Sequence, residues 1–399
     1  LFNSKKILTT MMVLMIVTAA GSALAGAKIK VSDDAYIELG YRLQTYWRSM
    51  DADIDPDTDG FETMDNFSLR RARFRGKAVV TDKVSFFLQT DVSGKDMKMI
   101  DAFITYKANP WAAFIFGRNM APASRQQVTS SAALMTMDRP GLVYKSLNWG
   151  TRYKYGFNKE PYAGSGISSG TDAVRDNGLT LFGSGDAGSG HFKYYAGVYN
   201  GTQALTGVSD KEHFSFRGQY NIWDAEGGYY GKSTYLGKKK TLGVGVSYST
   251  QSEVAEGATS GLLVDYAHTS ADIFLELPSS NGNSLSWEAA WIKLDFSDAV
   301  DYMDNQGTGY YTQLGYYLAS GFQPWFAYES FSSDGAADGN GKIAGDFTST
   351  RFGVTYFIDG HAANIKLGFE SFSPDQPIMA GATEESTVNT ITLGFFTNR

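Results

Sequence analysis

Four cations alternate with small or apolar residues in the run FSLRRARFRGKAVV, residues 67–80. Arg71, Arg73, Arg75 and Lys77 stand against Ala72, Phe74, Gly76 and Ala78, and Arg70 precedes the series and breaks its parity. An arginine side chain is permanently charged and presents a planar fork of donors that fits carboxylates, phosphates and other oxyanions. On an extended strand, alternate residues stand about 7 Å apart. At that spacing an anion can be handed to the next site before it is released. That is the chemistry of conduction rather than of tight binding.

The alternation specifies a strand with one cationic face, and the cost of placing that face decides its surroundings. Against lipid, each such cation costs about 2–4 kcal/mol near the midplane, so four cost on the order of 8–16 kcal/mol, as much as a whole fold's stability. Against water the cost is repulsion, roughly 0.6 kcal/mol per neighbouring pair. The ladder therefore faces an aqueous interior. Arg70 is expected at the outer rim, within reach of lipopolysaccharide phosphates. The tight turn TDK at 81–83 sets the register of the following strand, and the parity of both strands places Asp91 opposite Arg73 and Gln89 opposite Arg75. Asp91 would then pin Arg73 and leave Arg71, Arg75 and Lys77 for a passing anion. Arg42, on the polar face of YIELGYRLQTYWR, joins the same lining.

Elements able to carry such faces run through the whole chain. From about residue 35 the dominant period is two. Ile37, Leu39, Tyr41, Leu43 and Trp47 alternate with Glu38, Gly40, Arg42, Gln44 and Arg48; Ala363, Ile365, Leu367 and Phe369 alternate with Asn364, Lys366, Gly368 and Glu370. Half-buried strands read this way. About sixteen such runs are expected, from 35–48 to 387–396, with no helical segment between them. The connections TDK at 81–83, ANP at 108–110, SGF at 320–322 and DGH at 359–361 are tight, whereas 49–65, 119–176, 297–307, 333–347 and 373–386 are long and polar. Two connections break the rule: 94–97 is short where a long one is due, and 223–239 is long where a short one is due.

An even strand number with short turns on one side and long loops on the other specifies an all-β transmembrane antiparallel barrel of the Gram-negative outer membrane. A soluble sandwich or propeller would need a second apolar core where this chain has Gly, Ser, Thr, Gln and charges. Aromatic pairs such as Tyr46-Trp47, Tyr194-Tyr195 and Trp325-Phe326 are expected in the interfacial girdles.

The N-terminus and composition agree with export. Lys5 and Lys6 precede ILTTMMVLMIVTAA and the small-residue site Ala23-Leu24-Ala25, the pattern of a secretory signal peptide over residues 1–25, followed by one domain over 26–399. The formal charge of −7 becomes −9 once those two lysines are removed, which argues against nucleic acid as a partner. The 399 residues include no cysteine, which excludes disulfide staples.

The blocks FSLRRARFRGKAV, FFLQTDVSG, IDAFITYKANPWAAFIFGRNMAPAS, LMTMDRPGLV, RDNGLTLFG and YYAGVYNG, with YLGKKKTLGVGVSYS, ADIFLELPSSNGNSLSWEAAW and the closing TVNTITLGFF, resemble successive parts of the phosphate-selective porin O and P family. The RRAR strand and the VYNG block are the most specific of them. The resemblance implies a sixteen-stranded trimeric porin whose third long loop folds into the lumen. By position that loop is 119–176, with a constriction segment from Ser124 to Leu147 that carries Arg125, Arg139 and Lys145. Phosphate itself does not follow, because the lysines that would define a phosphate site cannot be matched one by one. The chain also ends in Thr397-Asn398-Arg399 rather than on the aromatic usual in such barrels.

Other constellations are weaker. DPDTDGFETMDN, residues 55–66, sets Asp55, Asp57, Asp59 and Gly60 at calcium-loop positions, but Asn66 stands where a glutamate is needed and no helices flank it. A solvated acidic loop that binds Ca²⁺ weakly at most is expected, and no other cofactor. The four histidines show no zinc spacing, and no G-x-S-x-G elbow appears, so catalysis is not expected. Two rivals remain for the anion channel. One is a general diffusion porin whose carboxylates Glu38, Asp91, Asp101 and Glu370 cancel the ladder. The other is a plugged structural or adhesion barrel, against which the inward glycines Gly40, Gly243, Gly245, Gly353 and Gly368 speak.

Overall fold

The computed structural model describes residues 27–52, 63–94, 97–145, 175–201, 211–256, 262–297, 306–334, 345–375 and 387–399, without the side chains of 51, 52, 63, 64, 145, 255 and 256. The expected signal peptide, the aspartates Asp55, Asp57 and Asp59, the side chain of Lys145 and positions 146–174 of the expected lumen loop lie outside the described residues.

The strands are β1 (Ala27–Lys30), β2 (Tyr36–Ala52), β3 (Thr63–Val79), β4 (Val84–Asp91), β5 (Lys98–Asn109), β6 (Ala112–Met120), β7 (Arg175–Ala187), β8 (Gly190–Tyr199) and β9 (His213–Trp223). They continue with β10 (Thr241–Glu256), β11 (Leu263–Pro278), β12 (Ser284–Asp295), β13 (Gly307–Tyr317), β14 (Phe322–Ser333), β15 (Phe347–Asp359), β16 (Ala363–Pro374) and β17 (Val388–Asn398). Each of β2 to β17 pairs antiparallel with its sequence neighbour, and β17 returns to pair with β2 from Asn398↔Arg42 to Val388↔Ala52. The sixteen strands thus close on themselves, and closure removes the exposed edges that would otherwise recruit another chain.

All sixteen expected runs are strands, and β1 is an addition. It pairs with Tyr36–Leu39 of β2, directly below the point where Arg399 exchanges two backbone hydrogen bonds with Tyr41, at 2.7 and 3.0 Å. β17 and β1 therefore share one edge of β2 end to end. Four residues are too short to show a period, so β1 carries no alternation signal.

The two faces separate as the alternation requires. Leu39, Leu43, Phe74, Phe86, Ile104, Phe116, Val244 and Val246 are exposed on the outside. Their neighbours Arg42, Gln44, Arg73, Gln89, Gln219, Ser247 and Ser249 are buried inside. The aromatic pairs split across the wall. Tyr46, Tyr195 and Trp325 are buried inward, which corrects their assignment to the girdles. Inward aromatics sit where the lumen is filled. A Cβ on Gly368 would come within 3.0 Å of the Trp325 ring, and one on Gly353 would also strike that ring. These glycines give room to a bulky neighbour, so they are no sign of an empty interior.

Candidate pore and its constriction

β3 carries the ladder, and a bulge sets its upper end. In the β2–β3 pair Gln44 faces Arg71 and Thr45 faces Leu69, so Arg70 is the extra residue. A bulge lets two successive side chains point the same way. Arg70 and Arg71 both turn inward onto one carboxylate: Arg70 Nε lies 2.6 Å from Asp138 Oδ2 and Arg71 Nη2 lies 3.2 Å from Asp138 Oδ1. The expectation of Arg70 at the lipid-facing rim is corrected, because strict period-two reading cannot see a bulge. Arg71 is likewise held, with Nη1 donating to Gln44 Oε1 at 2.6 Å.

The next rungs follow the register set by the 81–83 turn. Arg73 faces Asp91 and Arg75 faces Gln89. Arg73 Nε donates to Asp91 Oδ2 at 2.7 Å, and Gln89 Nε2 donates to Asp101 Oδ2 at 2.6 Å. Arg175, at the start of β7, takes the other oxygen of Asp101 at 2.8 Å. Of the ladder, Arg75 and Lys77 alone make no side-chain hydrogen bond or close ion pair among the described residues. Glu38, opposite Lys77 in register, lies instead 4.0 Å from Lys28.

Residues 121–145 run from the end of β6 across the inward faces of the far strands. Arg351 Nη1 donates to the carbonyls of Asp138 and Arg139 at 3.2 Å each. Lys366 Nζ donates to the carbonyls of Leu134 and Thr136 at 2.6 and 2.8 Å. Leu142 N donates to Glu329 Oε2 at 2.8 Å, and Gln44 Nε2 donates to Ser131 O at 2.9 Å. The short 3₁₀ turn Gly141–Lys145 places Leu142, Val143 and Tyr144 in a core cluster with Tyr266, Ile292 and Phe331. The cations of β15 and β16 thus receive backbone carbonyls that no ladder strand could satisfy.

Arg125 and Arg139 belong to this segment, and neither is a free anion site. Arg125 Nη1 and Nη2 grip Glu226 at 2.9 and 2.8 Å, Nε reaches Glu288 at 3.4 Å, and the guanidinium lies 4.0 Å above the Phe274 ring. Burial opposes its charge, and Glu226 and Glu288 outweigh burial, holding its pKa well above the usual range. Burial likewise works to raise the Glu226 pKa, but Arg125 outweighs it and the value falls to about 2. Arg139 donates Nε to Gln126 O at 3.0 Å and Nη2 to Thr129 O at 2.5 Å, folding the segment on itself. Sequence reading assigned both arginines by position and could not see these partners.

Glu226 comes from 224–240, the connection too long for its end of the barrel. It folds inward and meets 121–145 from below. Gly231 N donates to Val128 O at 2.8 Å, Ser130 N to Gly231 O at 3.0 Å and Ser233 N to Ala133 O at 3.0 Å. Tyr229 Oη donates to Met120 O, and Tyr235 Oη donates to Glu226 Oε1 at 2.8 Å. The anomaly in connection length was the only sequence signal for this brace. Lys239, from the GKKK turn, donates to Ala225 O at 2.6 Å and helps hold it.

Among the described residues a cavity of about 720 Å³ opens along β2–β7. Ten of its lining side chains are arginine or lysine, including Arg42, the ladder, Lys98, Lys107, Arg139 and Arg175, and two are aspartate, Asp91 and Asp101. The acids of the opposite wall are covered by the segment and its brace: Glu276, Glu288 and Glu329 have no exposed surface and Glu226 has 2 %. Among the described residues no three acidic or histidine side chains gather to hold a metal.

A closed sixteen-stranded barrel, apolar outside and with a charged aqueous passage inside, is an outer-membrane porin. The chain belongs to the phosphate-selective porin O and P family, whose model matches residues 42–370. A protein of Aquifex aeolicus described as uncharacterized is 22 % identical over 90 % of this chain and 87 % of its own length. Among solved structures, the anion-selective porin of Comamonas acidovorans has a similar fold, with a TM-score of 0.58, 9 % identity and coverage of 92 % of this chain and 100 % of that one. OmpF of Salmonella typhi, in complex with daunomycin, gives 0.56 at 12 % identity over 94 % and 100 %. The family and the barrel point to a channel rather than an enzyme, located in the outer membrane of a Gram-negative bacterium.

Proposed function

We propose that this porin is a passive channel favouring small anions, with its path along β2–β7 and residues 121–145 as the constriction loop. One observation carries the reading: the unequal exposure of opposite charges. Ten cations and two carboxylates line the cavity. Arg70, Arg71, Arg73, Arg139 and Arg175 are held by partners, so the excess rests on Arg75, Lys77, Lys98 and Lys107, which keep exposed surface, while Glu226, Glu276, Glu288 and Glu329 are buried in the packing of the loop and its brace. A charge inside the loop's packing is neutralised by its partners, whereas a charge on the cavity wall acts on a passing ion in a confined, poorly screened space. The general diffusion porin is the weaker reading. Of its cancelling acids, Asp91 and Asp101 serve Arg73, Arg175 and Gln89, Glu370 lies 3.7 Å from Arg351, and Glu38 lies 4.0 Å from Lys28 and acts on Arg75 only at longer range. The reading extends to a homotrimer, on the family resemblance, and to lipopolysaccharide around the outer rim. Weak calcium binding by Asp55, Asp57 and Asp59 stays a proposal from spacing alone.

The test is the zero-current potential of the purified protein in a planar bilayer under a KCl gradient. A potential of the sign set by chloride supports the reading, and one set by potassium overturns it. Cross-linking in detergent that yields only monomer overturns the trimer.

A further inference from the structure

Arg75 and Lys77, the two rungs with no hydrogen bond or close ion pair among the described residues, stand beside an aromatic pair. Across three strands one row of inward positions reads Lys77, Phe87 and Phe103, with Lys77↔Phe87 and Phe87↔Phe103 as direct partners. Arg75 occupies the row above. The Phe87 and Phe103 rings have centroids 5.2 Å apart at 31° and are half-buried, and both line the same cavity as Arg75 and Lys77. Adjacent strands lie about 4.8 Å apart, so the row spans about 10 Å from cation to second ring. The row ends at Gly117, opposite Phe103. Its φ of +127° and the closeness of Phe103 admit only glycine there, so position 117 adds no side chain against that ring. Ile115 and Phe182 continue the apolar wall towards Tyr229.

A channel for a bare inorganic ion gains nothing from this wall. Apolar surface kept against pore water costs roughly 25 cal/mol for each Å², and both rings stay only half-buried on the cavity wall although Phe103 also packs against the cluster of Ile115 and Tyr229. The geometry points to a site for organic oxyanions with a flat apolar body, such as aryl carboxylates, sulfonates or phosphates. The acid group is held by Arg75 and Lys77 and the ring lies against Phe87 and Phe103. This rests on the reading of the cationic cavity as the anion path and names its substrate class. Stacking and apolar contact supply attraction that is independent of the charge. The site discriminates between anions of equal charge, which a ladder alone does not do.

Benzenesulfonate and methanesulfonate are permanently charged and differ in the ring. Each is titrated as a blocker of chloride current through the purified protein in a planar bilayer. Benzenesulfonate is expected to half-block at about one-tenth the concentration of methanesulfonate, a ratio that stacking and ring burial together can supply. The Phe87→Leu, Phe103→Leu pair keeps the apolar volume and removes the ring faces. In that variant the ratio falls to about twofold while the chloride reversal potential stays at its wild-type value. Lys77→Gln weakens both blockers alike and leaves their ratio. Equal block by the two sulfonates in a wild-type channel that prefers chloride overturns this inference and spares the anion reading. A wild-type channel that prefers potassium overturns the anion reading itself. The wild-type ratio needs no variant to fold.

Discussion

Arg125 and Glu226 meet as a two-pronged pair at 2.9 and 2.8 Å although 101 residues separate them and they enter the barrel from opposite ends. Arg125 rides on the segment that follows β6, and Glu226 on the turn that follows β9. The pair ties residues 121–145 to the short-turn end of the barrel, so the position of that segment depends on a contact remote from the ladder.

Glu226→Gln is expected to loosen that tie. Removing one partner of a buried pair costs about 3–5 kcal/mol, and here the loss falls at the low end because Glu288 still faces Arg125. Thermal unfolding of the variant should begin at a lower temperature. Its single-channel conductance should rise or become noisy. Wild-type conductance with wild-type noise would show that the pair does not hold the constriction.

The same pair sets a pH dependence. Glu226 has its folded pKa depressed to about 2, and Arg70 and Arg71 outweigh burial to hold Asp138 well below the carboxylate range. A depressed carboxylate stabilises the fold fully above its unfolded pKa, about 4.3 for glutamate, and loses that contribution as pH falls through the folded value. Conductance should be flat from pH 8 to about 5 and rise as pH falls from about 4 towards 2. A bilayer pH series checks this, and Glu226→Gln should shrink the rise.

Arg75→Ala and Lys77→Ala should each lower the chloride over potassium permeability ratio, because neither side chain makes a hydrogen bond or close ion pair among the described residues and Glu38 acts on Arg75 only at longer range. Asp91→Asn should raise it by freeing Arg73. Arg70→Ala acts differently. It strips Asp138 of its closer partner, and is expected to disturb the constriction as Glu226→Gln does, with altered conductance. Reversal potentials and single-channel currents of the four variants separate the two kinds of effect.

Gly40→Ala tests the seam. A Cβ there would strike the Arg399 carbonyl and come within 2.6 Å of Arg75 Nε. The close approach of β17 to β2 and the place of Arg75 both require the missing side chain. The variant should unfold at lower temperature in a heat-dependent gel-mobility assay and show reduced anion preference. Unchanged mobility and selectivity would mean that the seam relaxes around the methyl group.

The barrel was legible in the sequence because a wall between lipid and water imposes its pattern on every residue of every strand. Period two fixed the sixteen strands, turn length fixed which end each connection occupies, and the cost of a cation in lipid fixed which way Arg73, Arg75 and Lys77 point. The turn at 81–83 even carried the pairing of Arg73 with Asp91. These are local regularities, readable within a dozen residues. Tertiary structure alone decided which cations stay available. Arg125 and Arg139 look the same in sequence as Arg75, yet one is spent on Glu226 and Glu288 and the other on its own segment's carbonyls. The bulge that turns Arg70 inward depends on how β2 and β3 slide past each other. The burial of Glu288 and Glu329 depends on a loop from elsewhere in the chain lying over them. A charge counts in a pore only if water reaches it, and water's access is set by contacts between residues far apart in sequence, which no periodicity records.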